Sequence, residues 1–143
     1  MFIPLHDANN LKHIKLQYVT FGLIAANILV FLTMSIAGGG ASQAAAYGLG
    51  DIPAVVNDVA ELPANLVLLP EGFTYVTYSF LHADLIHLGG NMLFLWVFGD
   101  NVEDALGHFR FLLFYFGCAA AGAALHGAID PGSGIPLIGA SGA

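Results

Sequence analysis

The chain has 143 residues, of which 57% are hydrophobic and 9% charged, and its mean hydropathy is +0.77. A soluble domain carries about 25% charged residues, so this chain cannot coat itself in water, and a bilayer is its natural solvent. Ten acids against three bases leave a net charge of −7, which excludes a nucleic-acid binder, because phosphate neutralisation needs clustered Lys and Arg.

Residues 1–16 open with the polar MFIPLHDANN, unlike a cleavable signal peptide, and place Lys12 and Lys15 just ahead of an apolar run. That run, residues 17–38, reads QYVTFGLIAANILVFLTMSIAG. It carries no charge and has the roughly 20 residues needed to cross a bilayer, which predicts a first transmembrane helix. Asn27 in its middle is expected to face another helix. The lysines mark the preceding end as cytoplasmic.

Residues 39–84 are punctuated by Gly, Pro and Ala and hold acids but no Lys or Arg. This suits an outer loop, within which residues 51–60 and 74–82 are apolar enough for short interfacial helices. Residues 85–99, LIHLGGNMLFLWVFG, form a second span interrupted by His87 and Asn91. A cytoplasmic turn is expected over 100–108, and a third span over 109–128. In that third span Cys118 with Gly122 and Gly117 with Ala121 are spaced for close helix approach. Arg110 then falls on the same side as the two lysines. An outer loop over 129–138 leads to residues 139–143, the start of a fourth helix. The expected fold is therefore all-α, a polytopic membrane helical bundle in one domain with three spans and the beginning of a fourth.

Few residues here can carry chemistry. His87 and Asn91 are four apart, hence on one helical face. They offer an imidazole N–H and an amide NH₂, donors suited to an oxyanion in a dry site. Interhelical hydrogen bonding is the other use open to them. Ser141 sits in Gly139-Ala140-Ser141-Gly142, a run that fits either a nucleophile or tight helix packing. It is no strand-borne nucleophile elbow, because Ala143 stands where the last Gly would be.

The remaining histidines read as interfacial or capping residues, with His82 at the mouth of the second helix. His126 is the local alternative for a general base near Ser141. Glu103 and Asp104 are expected to organise the turn through Arg110 or helix N-terminal amides. No Cys/His cluster suggests a metal, and the glycine runs lack the spacing of a nucleotide-binding loop. Cys118 is a small packing residue.

Together these stretches resemble the rhomboid intramembrane serine proteases. FLHADLIHLGGNMLFLWVFGDNVEDALGHFRFLLFYF is similar to their second helix, turn and third helix, and IPLIGASGA to their Gly-x-Ser-Gly motif. PLHDANN is similar to the Pro-Leu-x-Asp-x-Asn start of many bacterial members. The resemblance implies Ser141 as nucleophile, His87 and Asn91 as the oxyanion-stabilising pair, and Glu103 as a structural acid. It implies Ser-His dyad hydrolysis of peptide bonds in or beside transmembrane segments of substrate proteins, with the lipid bilayer as the setting and no cofactor or metal. It also implies an integral protein of a bacterial plasma membrane, with its N-terminus in the cytoplasm. The family's general base lies on a sixth helix that these residues do not include, so the 143-residue chain alone is expected to be inactive. The Trp-Arg pair many members carry in the first outer loop is missing here. A catalytically dead relative that binds transmembrane clients is the alternative.

Overall fold

The computed structural model describes residues 11–143; the PLHDANN stretch, with His6, lies outside them. The described residues form six α-helices and no strand: α1 (Tyr18–Ala37), α2 (Gly39–Leu49), α3 (Pro53–Val56), α4 (Thr74–Thr77), α5 (Leu85–Leu106) and α6 (His108–Ile129). Short 3-10 turns cover Glu71–Phe73, Tyr78–Phe80 and Ala140–Gly142.

α1 and α6 are long and apolar enough to cross a membrane, and a bent pair, Glu71–Phe80 with Leu85–Leu106, makes a third candidate. Their outward faces carry large apolar side chains such as Leu29, Ile36, Phe94, Leu125 and Ile129. A helix satisfies its own backbone bonds, so such a face can rest in hydrocarbon.

α1 packs mainly on α5 and α5 on α6. At the first crossing Gly99 admits Thr20: a Cβ on Gly99 would stand 3.0 Å from the Thr20 side chain. One core cluster gathers Leu23, Phe111 and Tyr115, and a second gathers Tyr78, Ala119 and Ala123. The buried face of α6 is thus Phe111, Tyr115, Ala119, Ala123 and Gly127, a helical repeat of four. Gly117 and Ala121, expected as a packing pair, are exposed instead. Gly122 does serve a close approach, to the backbone of Gly142 rather than to another span.

Two sequence expectations change. α5 does not end near Gly99; it continues to Leu106, so most of the expected turn over 100–108 is helical. It stops at Gly107, whose φ of 75° favours glycine. The polar tail stays helical because α1 needs it. α1 has no side-chain cap of its own, and Glu103 takes its place by accepting from Val19 N, Thr20 N and Thr20 Oγ1 at 2.9, 2.8 and 2.7 Å. Asp104 accepts from the backbone N–H groups of Lys12, His13 and Ile14 at 2.9, 2.7 and 2.8 Å. Of the two roles expected for these acids, the structure displays the amide contacts. The second change is α2, an 11-residue helix inside the expected loop. It is rich in alanine, a strong helix former, but has no polar and apolar faces to announce it.

α5 begins at Asp84, whose carboxylate accepts from Ile86 N and His87 N, both at 2.8 Å. Losing such a cap removes about 1 kcal/mol. Asp84→Ala is therefore expected to lower the thermal unfolding midpoint in detergent by a few degrees, and an unchanged midpoint would refute the cap's contribution.

Candidate active site

Ser141 is delivered by a strap, residues 130–143, that crosses from the end of α6 back over α5. Asp51 and Leu137 pair as an antiparallel bridge, with Asp51 N to Leu137 O at 3.2 Å and Leu137 N to Asp51 O at 2.7 Å. Ala54 N adds a bond to Ser133 O at 2.9 Å. The Asp51 carboxyl is itself buried and accepts from Thr74 Oγ1 at 3.2 Å. Burial pushes its pKa up, while the Thr74 hydrogen bond and the charge of His126 pull it down.

Beyond Leu137 the strap rests on Tyr78. Gly139 N donates to Tyr78 O at 3.0 Å, and the Tyr78 hydroxyl donates to Ala119 O on α6 at 2.9 Å. Gly142 lies so close that a Cβ there would collide with that hydroxyl oxygen. Tyr78 is 1% exposed, so the strap lies on a rigid post. Gly122 beneath it needs to be small: a Cβ there would meet Gly142 O at 3.0 Å.

Gly139 brings the strap to α5. Its φ is 113°, a conformation that favours glycine, and an added Cβ would lie 2.5 Å from His87 Nε2 and 3.4 Å from Asn91 Nδ2. The backbone two residues before Ser141 thus passes close to His87 and Asn91, leaving no room for a side chain at Gly139. Ser141, Ala140 and Asn91 also line one cavity of about 440 Å³ between α5 and α6, walled by Phe94, Phe98, Phe111, Phe114 and Tyr115. The Ser141 hydroxyl is exposed. Among the described residues it bonds no histidine. His126, the local alternative for a base, lies four residues beyond Gly122 on α6, about 6 Å further along the helix.

The family's sequence model, the Rhomboid domain, matches residues 70–143, which include Tyr78, His87, Asn91, Glu103 and Ser141. The chain belongs to the rhomboid family. It is 32% identical over 124 residues to the rhomboid protease GluP of Bacillus subtilis (strain 168), an alignment covering 87% of this chain and 22% of that protein. It is 41% identical over 46 residues to Rhomboid-like protein 11, chloroplastic, of Arabidopsis thaliana, covering 32% of this chain and 16% of that protein. The chain thus spans about a fifth or less of the length of these curated relatives. No solved structure matches significantly.

Family membership and the apolar helices make this an integral membrane protein. Beside the candidate residues stand Tyr78, which the sequence did not single out, and His82, expected only at the mouth of the second helix. Tyr78 reads in YVTYSF as one more interfacial aromatic. His82 is five residues from His87, a spacing that separates side chains on a straight helix. The chain is not straight there: the segments on either side of residues 81–84 are bent by 88°. The bend sets the His82 and His87 rings edge to face, 5.1 Å apart.

Proposed function

We propose that this chain forms the nucleophile and oxyanion half of an intramembrane serine endopeptidase, cleaving peptide bonds in or next to transmembrane segments of other proteins. The observation that carries the reading is the close passage of Gly139 by His87 and Asn91, which brings the Ser141 strap alongside two hydrogen-bond donors. Ser141 attacks the scissile carbonyl, and a histidine supplied from outside the described residues takes its proton. The carbonyl oxygen becomes an oxyanion beside His87 and Asn91. Donors fixed in a water-poor site stabilise that charge more than water does, because they need no reorganisation. An acyl-enzyme forms as the amine leaves, and water releases it. Neither metal nor cofactor enters these steps.

The apolar walls of the cavity beside Ser141 suit a hydrophobic stretch of substrate. The bacterial plasma membrane, with the N-terminus in the cytoplasm, is the proposed location: Lys12, Lys15 and Arg110 lie toward the end of the bundle where Asp104 holds residues 12–14.

The test is covalent. A fluorophosphonate that traps activated serines should attach to Ser141 in the full-length protein in membranes, as read by mass spectrometry of the labelled peptide. Labelling at another serine, or none under conditions where the membrane protein is folded, would refute the nucleophile assignment and favour a binding protein without catalysis.

A further inference from the structure

Asn91 is the side chain whose orientation matters most to the proposed oxyanion site, because its amide has two faces of opposite character. Its NH₂ stabilises a developing negative charge, and its carbonyl oxygen repels one. Rotation of the terminal amide by about 180° exchanges them, and on an isolated side chain that torsion is broad and soft. Something must hold it.

His82 occupies the required place. Asn91 Nδ2 lies 3.0 Å from His82 Nε2, and the same Nδ2 would be 3.4 Å from a Cβ on Gly139. An amide nitrogen is only a donor, so with the amide in this orientation His82 Nε2 accepts and the neutral ring carries its proton on Nδ1; the flipped amide would instead accept through Oδ1 from Nε2–H. One Asn91 N–H is then committed to His82, which leaves the second as the donor available to an oxyanion. The His82 ring cannot swing away easily. It stands edge to face against His87 and is seated in the bend between Leu81 and Asp84, with its Nδ1 buried.

We propose that His82 is a positioning residue: its Nε2 acceptor locks the Asn91 amide with NH₂ toward the oxyanion. This rests on the serine-hydrolase reading of the site. His82 touches no reacting atom; it acts through Asn91.

The experiment is a mutant cycle on the full-length protein in proteoliposomes, following cleavage of a membrane-anchored peptide substrate. His82→Leu, which fills space without an acceptor, is expected to lower kcat by about tenfold to hundredfold, with KM unchanged. His82→Gln, whose side-chain carbonyl accepts, is expected to restore much of that loss. In an Asn91→Ala background the His82→Leu loss should vanish, since there is no amide left to orient. In the unmutated protein the ¹⁵N shift of His82 Nε2 should be that of a non-protonated imidazole nitrogen. A Gln variant as impaired as Leu, a loss that persists undiminished without Asn91, or a protonated Nε2 overturns the assignment while leaving the serine mechanism standing. Full cleavage by Ser141→Ala overturns both together.

Discussion

Ser141→Ala in the full-length protein is expected to abolish cleavage of a membrane-anchored substrate, a fall of about a millionfold if the enzyme depends on its nucleophile as serine hydrolases do. The size follows from what the hydroxyl does. It forms the covalent intermediate, and nothing nearby substitutes for it: among the described residues the cavity it lines is walled mainly by apolar side chains, with Asn91 as its polar neighbour. The fold should barely change, because the Ser141 side chain is exposed and the strap is held by its backbone at Asp51, Tyr78 and Gly139. The variant should therefore keep its unfolding midpoint while losing activity. Removing one donor, by His87→Ala or Asn91→Ala, acts only on the oxyanion and should slow the reaction by the smaller factor of about a hundred to a thousand. The assay is the rate of product appearance in proteoliposomes. A Ser141→Ala protein that still cleaves would place the chemistry elsewhere.

The second large effect concerns stability. Glu103 is 0% exposed and accepts from two backbone N–H groups of α1, from Thr20 Oγ1 and from His108 Nδ1. It ties three helices: its own, the start of α1 and the start of α6. Glu103→Ala would leave the Thr20 N–H and hydroxyl buried without an acceptor. A single lost buried partner carries a penalty of about 1–3 kcal/mol, and loss of one member of a buried charged network about 3–5 kcal/mol. We therefore expect a loss of about 3 kcal/mol or more, read as a shift of the unfolding curve in mixed micelles. Glu103→Gln should recover only part of it, since its NH₂ would face donors rather than satisfy them. A midpoint equal to the unmutated protein would show that the carboxylate is not what joins α1 to α5.

Much of this architecture is legible in the residues themselves. An uncharged run of about 20 residues must lie in lipid and must be helical, because no other local structure satisfies its backbone there. α1 and α6 follow from that alone and match the expected spans to within one residue at each end. His87 and Asn91 stand out for a related reason, since polar groups at membrane depth need a purpose. Motif resemblance then points to Ser141 as the candidate nucleophile and to the rhomboid family, and the family match bears out the second of these.

What the residues could not reveal is where the chain bends and which groups meet after it does. Hydrophobic periodicity describes a straight helix, whereas residues 81–84 turn the chain through 88° and move His82 from a different face to the side of Asn91. The extent of α5 was hidden likewise: its last turns are polar, and they are helical because Glu103 and Asp104 satisfy amides far away in sequence. Tyr78, a bland aromatic by composition, became the post for the Ser141 strap only when α6 placed Ala119 O within reach of its hydroxyl. The solvent, the apolar spanning helices and the candidate site residues can be read from the residues alone, because those depend on local chemistry. Which groups lie beside the Ser141 strap, and what holds them, follows only from the packed fold, because hydrogen bonds between distant segments exist only once the helices have packed.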